Sequence, residues 1–60
     1  MNQYILTMWS SEAGEAKAYF DAEHDDEAGE MARLLIADFE QEAEVAVCRK
    51  YLHRLMEVAV

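Results

Sequence analysis

The sequence predicts an α+β fold in which an N-terminal two-stranded antiparallel hairpin packs on two C-terminal helices. Three observations support this prediction. Residues Gln3–Trp9 are rich in aromatic and β-branched types, which favour strands. Residues Ala16–His24 alternate with a period of two, as half-buried strands do. From Asp25 onward, apolar residues recur at helical spacing.

The predicted hairpin joins strands at Gln3–Trp9 and Ala16–His24 through the polar segment Ser10–Glu15, which contains one of the two glycines. The alternative for the second segment is a helix capped by Ser10 or Ser11, because Glu, Ala and Lys are good helix formers. That alternative makes the fold all-α with three helices. A faint Glu-Ala-Gly-Glu repeat at a spacing of about fifteen residues favours it.

The first predicted helix runs from about Asp26 to Gln41. Asp25-Asp26-Glu27 is a strong helix start, since Asp is a good N-cap and acids stabilise the first turn. The predicted buried side of this helix consists of Ala28, Met31, Ala32, Leu35, Ile36, Phe39 and Ala43.

Beyond Gln41 the apolar pattern changes phase. Residues such as Val45, Leu52 and Leu55 lie about 120° away from the first apolar line on a continued helical wheel. This predicts a break between Gln41 and Val45, followed by a second helix to about Val58. An uninterrupted helix that bundles with a partner chain is the alternative, because neither Pro nor Gly marks the break.

Side-chain chemistry also predicts what is buried. Cys48 is expected to be a small core residue. The packed face of the hairpin is expected to hold Tyr4, Met8, Trp9 and Tyr19, and exposure of Trp9 or Tyr19 at a contact surface is the alternative.

The net charge of −8 excludes nucleic acid and anionic membranes as direct partners and favours basic ones. Residues 1–44 hold twelve acids and two bases, whereas residues 45–60 hold three bases and one acid. A single cysteine forms no internal disulfide, and the N-terminal apolar run is too short for export or membrane spanning. We therefore expect one soluble cytoplasmic domain over residues 1–60, and a homodimer would help to stabilise so small a core.

The sequence contains no constellation that predicts catalysis or a cofactor. Near His24 there is no alternating carboxylate loop of the kind that binds calcium. His53 and Glu57 supply only two candidate ligands and are expected to form a surface pair. Cys48 and His53 are five residues apart and point in different directions on a helix. We expect no enzyme, no metal and no cofactor.

Basic residues are equally unpromising as a nucleic-acid site. Arg49, Lys50 and Arg54 are too few to overcome the repulsion of so acidic a chain. They are expected to lie in the C-terminal half of the second helix, where positive charge is favourable.

The acidic residues are therefore the candidate partner-binding site. Carboxylates one helical turn apart are about 6 Å from each other, of the same order as successive phosphates on a nucleic-acid strand. A row of them on a rigid helix can occupy an Arg/Lys groove built for DNA. The candidate residues are Asp21, Glu23, Asp25, Asp26, Glu27, Glu30, Asp38, Glu40 and Glu44.

In size, acidity and absence of catalytic motifs, the chain resembles the small phage-encoded inhibitors of host defence, including the anti-CRISPR proteins that mimic DNA. The resemblance implies a basic nucleic-acid-binding protein or effector complex as the partner, bound at its DNA- or PAM-reading groove. It implies nothing about topology, since those inhibitors have diverse folds. The alternative is an antitoxin-like or structural interaction subunit that binds through hydrophobic helix or hairpin contacts.

Overall fold

The computed structural model describes residues 1–55, which form three strands and one helix. The strands are β1 (Asn2–Ser10), β2 (Gly14–Ala22) and β3 (Arg49–Arg54), and the helix is α1 (Asp25–Ala43). The strand order is β2-β1-β3, and β1 pairs antiparallel with both neighbours. The helix of 19 residues is about 28 Å long and matches β1, whose 9 residues span about 30 Å.

The hairpin prediction is confirmed, and a helix over residues 16–24 is wrong. The β1–β2 register runs from Asn2 opposite Ala22 to Ser10 opposite Gly14. The hydroxyl oxygen of Ser10 accepts hydrogen bonds from the backbone N–H groups of Glu12 and Ala13, both at 3.2 Å. Gly14 has a φ of 78°, which glycine adopts without steric cost and which suits a three-residue hairpin loop.

The first helix is confirmed, but its cap differs from the prediction. The N-cap is His24 rather than Asp25, and its Nδ1 accepts a hydrogen bond of 3.3 Å from the N–H of Glu27. Helix α1 ends at Ala43, and Glu44 adopts the left-handed conformation with φ 54°. This ending agrees with the predicted break between Gln41 and Val45.

The predicted second helix is wrong, and so is the all-α alternative. Residues 45–48 are irregular, and 49–54 form β3 on the free edge of β1. Without β3, the N–H and C=O groups on that edge of β1 would lack backbone partners. Arg49, Lys50 and Arg54 thus lie on a strand rather than in a helix. Residues 56–60, including Glu57 and the end of the predicted helix, lie outside the described residues.

The core lies between α1 and one face of the sheet. Its buried apolar residues are Tyr4, Leu6, Met8, Ala22, Ala28 and Ala32. Of the predicted helix core, Ala28 and Ala32 are buried, Met31, Leu35, Ile36 and Phe39 pack against them or the sheet, and Ala43 is exposed. The small alanines bring the helix backbone close to the sheet.

The predicted packed face of the hairpin is only half right. Tyr4 and Met8 face the helix, whereas Trp9 and Tyr19 have the opposite parity in their strands and lie on the other face. Tyr19 is 62% exposed. Cys48, expected in the core, is also exposed.

We call the sheet face opposite α1 the open face. In the described part of the chain, no helix packs against it. Strand alternation and register place on it Gln3, Ile5, Thr7, Trp9, Glu15, Lys17, Tyr19, Asp21, Arg49, Tyr51 and His53.

Candidate functional site

The net charge of the molecule is carried by α1 and its two ends. Between residues 23 and 44 there are nine acids and one base, Arg33, which give −8. The remaining 38 residues hold four acids and four bases and are neutral. The three strands hold four bases and two acids, so the chain has an acidic helix on one side and a weakly basic sheet, of net charge +2, on the other.

Acids at the N-terminal end of α1 have structural roles. The Oε1 atom of Glu27 accepts a hydrogen bond of 3.4 Å from the N–H of Glu23, so Glu27 and His24 satisfy donors at the helix start. Asp25 accepts a 2.6 Å hydrogen bond from the Tyr4 hydroxyl. That hydrogen bond, with burial and the Asp25 charge, raises the pKa of Tyr4. Negative charge here also favours the helix dipole.

A basic residue lies close to this end of the helix. Arg54, at the end of β3, lines an open cleft together with Asn2, Glu23, His24, Asp25 and Asp26. Its positive charge reduces the local negative potential. The N-terminal acids are thus explained largely by capping, by Tyr4 and by their neighbour on β3.

Glu40 also has a structural role. Its Oε2 accepts a 2.9 Å hydrogen bond from the N–H of Val47, which fixes the segment between α1 and β3. Glu40 is half-buried and lines a groove with Lys50 and Arg49. It does not belong to the outward surface on which the sequence placed it.

The exposed acids at the C-terminal end of α1 have no such explanation. They are Asp38, Glu42 and Glu44, and the last turn of the helix contains no basic residue. Among the side-chain hydrogen bonds of residues 1–55, none involves these three. Negative charge at Glu42 and Glu44, in the last turn and at the C-cap, opposes the helix dipole at a cost of about 0.3–1 kcal/mol per group.

The outward side of α1 is not one continuous carboxylate row. Asp26 and Glu30 lie one turn apart on it, and then Leu34 and Ala37 interrupt the acids. Leu34 is 72% exposed, the highest value among the large apolar side chains of α1. Leu34 is not among the residues predicted from the sequence, although the helical wheel places it opposite the core.

The structure therefore divides the predicted site into separate groups. Glu23, Asp25, Asp26, Glu27 and Glu30 gather at the N-terminal end of α1, and Asp38 and Glu44 at the C-terminal end. Asp21 lies apart, on the open face beside Gln3. Glu40 turns toward the chain that leads to β3.

Within residues 1–55, no group of three or more His, Cys, Asp or Glu side chains is arranged to hold a metal ion. None of the helices in this range is both long and apolar enough to cross a membrane. Comparisons with protein-family models, curated proteins and solved structures find no match to this chain.

Proposed function

We propose that this protein is a non-enzymatic acidic inhibitor that binds a basic nucleic-acid-binding protein in the cytoplasm and blocks its DNA site by charge mimicry. An anti-CRISPR protein acting on an effector complex is the form of this function that its size and acidity favour. The residues proposed to carry it are the exposed acids of α1 and its ends, above all Glu30, Asp38, Glu42 and Glu44.

The observation that supports this proposal most strongly is the placement of the C-terminal acids. A charged surface that served only solubility could be distributed anywhere, and stability would favour bases at the helix C-terminus. Here the acids are concentrated on the helix, while the strands hold more bases than acids. Carboxylates that cost stability and make no described contact within the chain are best explained by contacts with another molecule.

The proposed mechanism has three steps. The −8 charge steers the helix toward a basic groove and raises the association rate. The carboxylates then accept charge-assisted hydrogen bonds from Arg and Lys side chains that otherwise hold phosphates. Leu34, exposed between the two acidic ends, supplies an apolar contact that DNA lacks and so favours the inhibitor over its competitor.

Charge reversal of Asp26, Glu30 and Glu44 to Lys tests this proposal. The fold should persist, since Asp26→Lys in the first turn costs about as much as Glu44→Lys gains at the helix end, and Glu30 lies beyond the first turn. Displacement of a DNA duplex from a guide-loaded Cas9-type effector, or from a protein captured from host lysate after nuclease treatment, should be lost. The measurement is a DNA-release titration with circular dichroism as the folding check. A folded triple variant that releases DNA as well as the parent protein does would rule out charge mimicry.

A matched pair of single changes refines the test. Glu44→Lys and Glu12→Lys alter the net charge equally, and both residues are exposed outside the strands. Glu44→Lys should weaken partner binding about tenfold, as expected for a reversed contact. Glu12→Lys should change it less than threefold, as expected for a distant surface charge screened by salt.

One observation favours the second candidate, an interaction subunit that binds through its hairpin. Tyr19 on β2 is 62% exposed and Tyr51 on the neighbouring edge strand is 59% exposed, and aromatic residues are frequent interface anchors. Salt separates the candidates. Affinity from charge mimicry should fall steeply between low and moderate salt, whereas hydrophobic docking should persist.

A further inference from the structure

The open face combines aromatic exposure with balanced charge. Its charged residues are Glu15 and Asp21 against Lys17 and Arg49, so the face is neutral in a molecule of net charge −8. Nearly the whole surface around α1 repels a second copy, but this face does not. A domain of 60 residues also gains proportionally more than a larger one from burying further apolar surface.

Strand pairing arranges the open face in rows that cross the sheet from β2 through β1 to β3. The first row is Glu15, Trp9 and Arg49. The Arg49 guanidinium carbon lies 5.4 Å from the centroid of a Trp9 ring, within the range of a cation–π contact. This row is negative at the β2 edge and positive at the β3 edge, with an aromatic residue between.

We propose that two copies of this chain pack through their open faces as a twofold dimer whose axis runs parallel to β1. This operation exchanges left and right while keeping each row in place, so β2 of one copy lies over β3 of the other. Glu15 then faces Arg49 of the second copy, and Arg49 faces Glu15. The two Trp9 side chains meet at the centre of the same row.

Two further rows are complementary under the same operation. The Lys17 cation faces the ring of Tyr51 of the second copy, and the phenol of Tyr19 faces the imidazole of His53 of the second copy. The twofold symmetry produces each contact twice. Apolar or small side chains meet on the axis. These rows are Lys17, Thr7 and Tyr51, followed by Tyr19, Ile5 and His53.

The geometry of face-to-face sheets permits this dimer. Aligned sheets pack about 10 Å apart with strands within about 30° of each other. Each α1 lies behind its own sheet, so the two acidic helices are roughly 30 Å apart, several Debye lengths at physiological salt. The dimer therefore avoids the repulsion that every approach through a helix would meet.

Single-stranded nucleic acid is the other occupant to which an aromatic sheet face is suited. Two carboxylates on the face and the net charge of −8 oppose phosphate binding. The first row is negative at Glu15 and positive at Arg49, so it is complementary to the same row of a second copy. A nucleic-acid strand is negative along its whole length and offers no positive group to Glu15. This inference is independent of the proposed function, since the acidic helices stay exposed in the dimer.

Sedimentation equilibrium of the full chain from about 1 µM to about 500 µM tests the dimer, with Trp9 fluorescence as a second reading. The face measures roughly 14 Å by 24 Å on each copy, smaller than standard specific interfaces, so a weak dimer with a dissociation constant of about 100 µM is expected. Trp9, the one tryptophan of the chain, should shift to shorter emission wavelength as the dimer forms. A wild-type protein that stays monomeric throughout, or that binds a single-stranded oligonucleotide as a monomer, overturns the proposal.

A charge swap gives the sharper result. Glu15→Arg alone, or Arg49→Glu alone, creates two like-charge contacts and should weaken the dimer about 10- to 100-fold. The double variant Glu15→Arg/Arg49→Glu restores opposite charges and should recover affinity to within about threefold. Lys50→Glu is the control, because it makes the same charge change one residue along β3 on the other side of the sheet. A double variant as weak as the singles, or a control as weak as Arg49→Glu, contradicts the proposed geometry.

Discussion

At the scale of single residues, exposure separates side chains that hold the fold from those available to a partner. Leu6 and Leu34 are the same residue type in opposite environments. Leu6 is 1% exposed in the centre of the sheet, and Leu34 is 72% exposed on the outward side of α1. Their chemical identity makes them a controlled comparison.

We predict that Leu6→Ala and Leu34→Ala have opposite consequences. Leu6→Ala should lower the free energy of unfolding by about 2–5 kcal/mol, most of the stability that a domain of this size has. Leu34→Ala should change it by less than about 0.5 kcal/mol but weaken binding to the basic partner. Urea unfolding followed by circular dichroism measures the first effect, and the DNA-release titration the second. Equal unfolding midpoints for the two variants would contradict the described core.

The sequence predicts least well which face of the sheet each strand residue lies on. In β1, both alternating sets are apolar enough for a core: Tyr4, Leu6 and Met8 on one side, and Ile5 and Trp9 on the other. Period-two alternation therefore cannot say which side the helix covers. The helix position decides it, and that is a tertiary contact. Trp9 was misplaced for this reason.

At the scale of elements, the hairpin and α1 were predictable because their signals are local. Turn residues lie between the two strands, and three acids begin a long apolar stripe. Strand β3 was not predictable in this way. Its residues Arg49–Arg54 also fit a helical wheel. They are extended because β1 would otherwise have an unpaired edge, and the residues of β1 that pair with them are 40 to 50 positions away.

Two positions with left-handed backbone offer a test of the element ends. Gly14 has φ 78° and Glu44 has φ 54°, and nothing lies within 4 Å of a Cβ built on Gly14. Gly14→Ala should therefore lower stability by about 1 kcal/mol through backbone strain alone. Glu44→Gly should raise it by up to about 1 kcal/mol, because it relieves strain and removes an acid from the negative end of the dipole.

Thermal unfolding of both variants beside the parent protein measures these shifts, which should be of opposite sign. Partner binding separates the two roles of Glu44, since Glu44→Gly should be more stable and yet bind more weakly. A variant that gains stability and keeps full affinity would remove Glu44 from the proposed site.

At the scale of the whole molecule, charge is segregated rather than spread. The helical pattern predicts that the acids form one surface. The structure divides them between capping at one end of α1, a backbone contact from Glu40, and an unexplained group at the other end. That division depends on the contacts of α1 with β1 and with residues 45–48, which the helical period does not reveal.

This segregation predicts an unusual response to salt. With nine acids and one base on and around α1, and no ion pair between a carboxylate and a basic side chain within residues 1–55, mutual repulsion destabilises the folded state at low ionic strength. Raising NaCl from about 10 mM to about 300 mM shortens the Debye length from about 30 Å to well under 10 Å. The free energy of unfolding should rise by about 1 kcal/mol, which corresponds to about 4–8 °C in the unfolding temperature.

The Asp38→Lys/Glu44→Lys variant, with half the net charge and a favourable helix end, should be more stable at low salt and gain much less from added NaCl. Equal gains for the two proteins would mean that salt acts through general solvation, and that repulsion between the carboxylates of α1 contributes nothing measurable to the stability of the fold.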